Sequence, residues 1–197
     1  MRTLYFLSVA ALCSLLLVPG CSPPASDVAW TEVARDALNG AEAAQFDRAN
    51  GAREALFGTL MARLTAAMQE GGAPVAIDVC RVDAPAIASD TGAAQGLTIG
   101  RTSFKLRNPE NTPPAWAAPY VEARRAEPLV LRGSDGALAA LFPIVLKAEC
   151  VQCHGPEANI APDVLTAIQQ AYPGDAATGF QEGDLRGWFH VTVPPAP

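Results

Sequence analysis

One run of residues carries most of the chemistry in this chain: Cys150-Val151-Gln152-Cys153-His154. Two cysteines separated by two residues, with a histidine next, form the pattern of a c-type haem attachment site. The spacing has a physical reason. Both thiols must meet one face of the macrocycle to form thioethers with its vinyl groups, and a helical turn brings residues three apart onto one side. The imidazole that follows is then placed to hold the iron as proximal ligand. A thiol–disulfide pair and half of a zinc site are the competing readings. A structural zinc site takes four Cys or His ligands, and beyond the N-terminal segment only Cys80 and His190 remain as soft donors. A thioredoxin-like pair belongs in a βαβ pattern, which this sequence lacks. The expected cofactor is therefore one covalent haem c on Cys150, Cys153 and His154.

The other side of the iron also needs a ligand. His190 lies in a strand-like run and reads as a half-buried or surface histidine. Met61 and Met68 sit on a helical stretch, where methionine is usually core. Lys147 is close to the motif in sequence. Cys80 shares a helical face with Ile77 and Ala84. Buried free cysteine is common, so from the residues alone Cys80 as sixth ligand and Cys80 as a small hydrophobe are balanced. Arg101 and Arg107 are candidates to meet the haem propionates, because guanidinium pairs well with carboxylates; solvated surface arginines are the equal alternative.

Met1-Arg2 precedes an apolar run from Leu4 to Val18, shorter than the ~20 residues of a spanning helix. Residues 1–20 read as a secretory signal peptide. Val18-Pro19-Gly20-Cys21 has the form of a bacterial lipobox, so Cys21 is the expected lipidation site, with ordinary cleavage as the alternative. Residues 21–26 then tether a domain spanning 27–197. Ser22, with no aspartate after the cysteine, favours the outer over the inner membrane. The expected location is periplasmic, anchored through lipid only. Haem attachment in bacteria also takes place outside the cytoplasm, so the two signals agree. The formal net charge of -6 argues against nucleic acid as a partner and is compatible with a separate redox or signalling protein.

The supporting elements follow from pattern. Between Asp27 and Glu70, Leu56, Phe57, Leu60, Leu64, Ala67 and Met68 recur at helical spacing. Gly40 and Gly51 are expected to divide this stretch, and Gly71-Gly72 to end it. A shorter helix is expected over Pro74 to Asp83, with a fresh start at Pro85. Leu97 to Ser103 alternates as a strand, and Ala115 to Arg125 reads as a short helix. Pro128 to Arg132 and Ala137 to Leu146 flank Gly133-Ser134-Asp135-Gly136, a hairpin signal. Ala161 to Ala171 is helical in pattern, and Trp188 to Val193 is a last strand. This order lacks βαβ alternation and indicates an α+β domain with an antiparallel sheet.

With those residues in view, the chain resembles the PAS-like periplasmic c-type haem domain family. The matching pieces are Ala76-Ile77-Asp78-Val79-Cys80, Gly100-Arg101-Thr102-Ser103, Arg107-Asn108-Pro109 with Asn111 and Pro113, Cys150 to Gly155, and Tyr172-Pro173-Gly174-Asp175-Ala176 with Gly179, Gly183, Asp184 and Gly187. Only the haem motif is specific by itself; order and spacing make the rest so. The resemblance implies a PAS-like antiparallel sheet with flanking helices and a long N-terminal helical segment. It also implies axial ligation by His154 and Cys80. The function it implies is a redox or gas sensor. A low-potential electron-transfer cytochrome is the alternative and a haem peroxidase a weaker one. No catalytic residue is expected.

The anchor is open to a direct check. Cys21→Ser is expected to move the exported protein from the detergent phase to the aqueous phase in detergent partition; an unlipidated wild type already in the aqueous phase refutes the lipobox reading.

Overall fold

The computed structural model describes residues 28–195. The expected signal peptide, the expected lipidation site Cys21 and the expected tether fall outside the described residues.

The hairpin forms where the turn residues place it. Strands β3 (Leu129–Gly133) and β4 (Leu138–Val145) are joined by a turn in which Gly136 takes φ 86°. Asp135 Oδ1 accepts from the Ala137 N–H at 3.0 Å, the local side-chain bond that favours Asp in turns. Strand β5 (Leu185–Val193) runs along the other side of β4, and β2 (Thr98–Thr102) pairs with β5. A strand not expected from the sequence, β1 (Trp30–Glu32), pairs with β3. The sheet order is β1-β3-β4-β5-β2, antiparallel throughout.

Both faces of this sheet are covered, and that explains the unbroken apolar run Leu138-Ala139-Ala140-Leu141-Phe142. Leu138, Ala140 and Phe142 join Phe189 and Val191 on one face, against Phe46, Ala49 and Leu56 of helix α1 (Gly40–Asp78). Ala139 and Leu141 join Leu129, Leu131 and Trp188 on the other, under Val121 of helix α3 (Ala118–Glu122). Each fully buried leucine contributes ~1.5–3 kcal/mol. Trp188 lies fully buried, and its indole N–H donates to the Arg125 carbonyl at 2.7 Å. Pro143 sits inside β4, past the end of the β3 pairing, where β4 has a neighbour only on the β5 side.

Helix α1 begins at a capping box. Asn39 Oδ1 accepts from the Ala41 and Glu42 N–H groups at 3.0 Å, and Glu42 accepts from the Asn39 N–H at 2.9 Å. Gly40 opens the helix and Gly51 rides inside it, so neither divides it as expected. A helical glycine costs only ~1 kcal/mol, which packing along Ala49, Ala52 and Leu56 outweighs. The break comes at Gly71-Gly72, where Gly72 takes φ 74°. Met68, expected on the buried stripe, is 39% exposed. The helix expected from Pro74 starts after that break, but it does not stop at Asp83 as expected. The chain passes from α1 through a π-helical turn, Val79–Asp83, into helix α2 (Ala84–Gln95), with Pro85 in its first turn. Gly96, at φ 61°, ends α2. Helix α3 is shorter than the Ala115 to Arg125 span expected. Helix α4 (Val151–His154) carries the motif, and α5 (Pro162–Ala171) matches the expected helix.

Glu42 works twice, since the same carboxylate that closes the capping box pairs with Arg132 of β3. That hydrogen bond holds the Glu42 carboxyl below its ordinary value, so its stabilising effect is present above the unfolded carboxylate range and is lost as pH falls through the lower folded value. Glu42→Gln is expected to lower Tm near neutral pH and to converge on wild type in acid. Asn39→Ala is expected to lower Tm by about 2–4 °C, from a cap contribution of about 1 kcal/mol. Thermal melts across pH test both; a Glu42→Gln deficit that persists unchanged in acid refutes the linkage.

Candidate functional site

Helix α4 is a single turn. It follows Cys150 and ends at Gly155, whose N–H bonds back to the Val151 carbonyl at 2.8 Å. A Cβ at Gly155 would lie 2.5 Å from that carbonyl oxygen, so glycine permits the tight exit. Beyond it the Phe180 and Gly179 N–H groups donate to the carbonyls of His154 and Gly155 at 2.9 and 2.8 Å. The motif is thus stitched to the loop before β5.

His154 is oriented by one bond. Its Nδ1 lies 2.8 Å from the Ala177 carbonyl oxygen. A carbonyl only accepts, so Nδ1 carries the proton and Nε2 keeps its lone pair. This is the arrangement in which a histidine serves as a metal ligand. Burial, aided by Arg186 and Arg107, holds the imidazole well below its ordinary pKa; it is neutral at physiological pH.

Cys80 reaches the same place from the other end of the chain. The π-helical turn Val79–Asp83 inserts one residue into the helical register and turns this side chain inward. Cys80, Cys150 and His154 line one cavity, with Phe57, Leu60, Met61 and Leu64 of α1 along its apolar side. Burial raises the Cys80 thiol, and Arg101, Arg107 and Arg186 pull it partly back. The three described cysteines are free thiols. Cys153 packs against the cluster of Ala73, Ile77, Ile160 and Val164 rather than lining the cavity. Its thiol is raised by burial and then by Cys80 and Cys150, so the three sulfurs share one region. The cavity has a volume of about 190 Å³ and opens to solvent, and two of its lining residues, Phe57 and Val145, are 38% and 56% exposed.

The arginines divide into two kinds. Arg107 is committed: it pairs with Asp175 through two bonds of 3.1 and 3.0 Å and donates to the Cys153 carbonyl at 2.5 Å. Both side chains are buried, at 9% and 8% exposure. Arg101 also lines the cavity but donates to no protein acceptor among the described residues, and burial lowers its pKa. Arg186 bonds to Ser103 Oγ at 2.8 Å and to the Lys105 carbonyl at 3.0 Å, while its buried Nε has no partner. Burial brings Arg186 down to about 10. Two guanidiniums in one cavity therefore lack counter-charges. Arg186 is a site residue that sequence reasoning missed. Its neighbour offers a faint signal: Gly187 admits no Cβ because Thr102 oxygen would lie 2.2 Å away, so this part of β5 presses closely on β2.

The other donors weighed from sequence are placed as follows. Met61 and Lys147 line the cavity, Lys147 with its side chain exposed. Met68 does not line it, and His190 lines a different one. Among the described residues no group of three His, Cys, Asp or Glu side chains gathers to hold a metal ion, so the zinc reading finds no further ligands.

Residues 31–194 match the family model described as Tll0287-like. Among solved structures the chain is similar to the cyanobacterial haem protein Tll0287, at 28% identity over 58% of this chain and 71% of that one, with a TM-score of 0.48. No curated protein matches.

The Arg107–Asp175 pair is expected to be a point of failure. Asp175→Ala strands a buried guanidinium, a change that costs about 3–5 kcal/mol. It also removes the acceptor for the Ala177 N–H, 2.9 Å away. A urea midpoint for Asp175→Ala within error of wild type contradicts this account.

Proposed function

This chain belongs to the Tll0287-like family, and on that premise we propose that it is an exported c-type haem protein, with one haem on Cys150 and Cys153 and its iron held by His154 and Cys80, acting as a redox or gas sensor. The observation that carries the reading is that Cys80, far off in sequence, lines the same cavity as Cys150 and a ligand-ready His154.

The residues suit the group. Free thiols stand at the attachment spacing, Cys150 in the cavity and Cys153 beside it against the Ile77 and Ile160 cluster, from which Cys153 would turn to meet the ring. Arg101 and Arg186 offer unpaired guanidiniums to two propionates, and carboxylate recognition by guanidinium is strong and directional. Arg107, already paired, supports the loop and leaves propionate binding to those two. The cavity volume of about 190 Å³ is less than a porphyrin needs, and the exposed Phe57 and Val145 are the apolar surface over which the remainder of the ring would lie.

When bound, haem would supply a one-electron iron couple and a metal to which a diatomic gas can bind. The rest is the work of the chain. The Ala177 carbonyl holds the proton on His154 Nδ1 and so aims Nε2. Cys80 would have to give its thiol proton to solvent to hold the metal, as metal-binding thiols do, and Arg101, Arg107 and Arg186 would offset the resulting negative charge. A thiolate stabilises the ferric state, which lowers the potential relative to a His/Met pair. The signal-like N-terminus and Cys21 support a periplasmic, lipid-anchored protein of the outer membrane. The sensing step would pass to a separate partner. Electron transfer is the second reading, favoured by the exposed rim at Phe57 and Val145. A peroxidase needs an open distal position, which Cys80 would fill.

Material matured in a haem-loading host is expected to gain the mass of one haem and a Soret band, both lost from Cys150→Ser/Cys153→Ser. Cys80→Ala is expected to keep the mass but to lose the low-spin ferric signature and to gain a higher potential; an unchanged absorption and paramagnetic-resonance spectrum would falsify the ligand assignment. Carbon monoxide binding to the reduced protein favours the sensor, and an inert reduced protein the carrier.

A further inference from the structure

Tyr172 brings a phenol to the thiol-lined cavity, and that phenol has no part in the haem reading. Its ring is buried, at 6% exposure, with Ala73 and Ile77 of α1 and Val164 and Ile168 of α5. Ile77 stands three residues before Cys80, so a ring packed on it lies along the segment that delivers Cys80 to the cavity. The backbone fixes this placement. The Tyr172 N–H donates to the Ile168 carbonyl at 2.8 Å, and the Tyr172 carbonyl accepts from the Asp175 N–H at 3.0 Å. The turn that presents Asp175 to Arg107 therefore also sets the phenol.

The hydroxyl is a donor in search of an acceptor. It bonds to no protein group among the described residues, whereas a buried Tyr O–H ordinarily finds a partner. Burial first, and then Cys80, push the phenol up to about 12, so it keeps its proton at physiological pH. The other charges that reach it belong to Arg107, Arg101 and Arg81. Guanidiniums only donate, so they cannot take the phenol proton. Sulfur can. A thiol is a weak acceptor, and a thiolate, being charged, is a much better one.

We propose that Tyr172 is a positioning residue for the sulfur ligand: in the haem-loaded chain its hydroxyl donates to the Cys80 thiolate, directly or across one water, and so moderates how strongly that sulfur donates to iron. This deepens the His154/Cys80 reading and rests on it. Hydrogen bonding around a ligating sulfur is one of the levers a protein has on a metal's potential. Charge drawn toward the phenol proton is withheld from iron, so the ferric state loses part of its advantage and the potential rises. Cys80 sets a low potential, and Tyr172 limits how low it goes.

The test is Tyr172→Phe in the haem-loaded full chain, a change that keeps the ring in its cluster and removes one oxygen. Wild-type haem mass and a near wild-type thermal midpoint are expected. The potential is expected to move downward, so that the ferrous-to-ferric ratio at a fixed solution potential falls several-fold. The ferric paramagnetic-resonance signal is expected to shift while staying low-spin, and to lose one coupling to a proton that exchanges in deuterium oxide. In a Cys80→Ala background the same substitution is expected to change nothing further, since the pair acts as a unit. An unmoved potential and spectrum in Tyr172→Phe overturns the proposal. So does a shift of equal size in the Cys80→Ala background, which gives the phenol to a propionate. Failure of Tyr172→Phe to fold or to take up haem also overturns it, by making the hydroxyl part of the scaffold. A Cys80→Ala protein spectrally identical to wild type defeats the ligand reading itself; an altered Cys80→Ala beside an unaltered Tyr172→Phe defeats this inference alone.

Discussion

The buried ion pair between Arg107 and Asp175 ties together three segments with no regular structure in common. Arg107 ends the loop after β2, Asp175 lies in the turn after α5, and the guanidinium also reaches the Cys153 carbonyl. Asp175 takes the Ala177 N–H, and the Ala177 carbonyl takes the proton of His154. The orientation of one imidazole is therefore set by a charge pair two bonds away. Burying two charges is costly unless their remaining donors and acceptors are satisfied. Here they are, by backbone groups of the very loops that need fixing. A hydrophobic pair of the same volume would fill the space and leave those carbonyls and N–H groups without partners.

The placement of Cys80 follows a different logic. A regular helix from residue 73 into α2 would advance 100° per residue and carry its inward stripe past this position. The π-helical turn adds a residue, and the break at Gly71-Gly72 resets the direction of the helix before it. Val79 and Ala84 on either side are buried, at 3% and 1% exposure, so the irregular turn is clamped by packing. The irregular backbone sits where the Cys80 side chain is delivered to the cavity, and π-helical turns often sit beside such sites.

How much of this was legible in the sequence depends on the range of the interaction. The hairpin at Gly133 to Gly136, strand β2 and helix α5 are written in short runs, and each stands where its pattern puts it. The long-range features were harder. Strand β1 is three residues with no alternation to display, and it exists because β3 offers it an edge. Gly51 reads as a breaker, yet its ~1 kcal/mol cost is outweighed by the tertiary packing of Ala49, Ala52 and Leu56 around it. Arg186 is one arginine among many until β5 is laid beside β2. Arg101 and Arg107 look alike in sequence, and only Asp175, brought in by the fold, separates the committed guanidinium from the free one.

Pro143 bears on how molecules of this protein meet one another. The outer half of β4 runs beyond β3, so its far side has no strand beside it. An exposed edge of that kind is a template on which a second chain can add a strand and start an aggregate. A proline there presents a ring in place of an N–H, so an incoming strand finds a gap in the ladder it would have to complete. The stretch that leads into the thiol-lined cavity thereby offers an incoming strand an incomplete ladder.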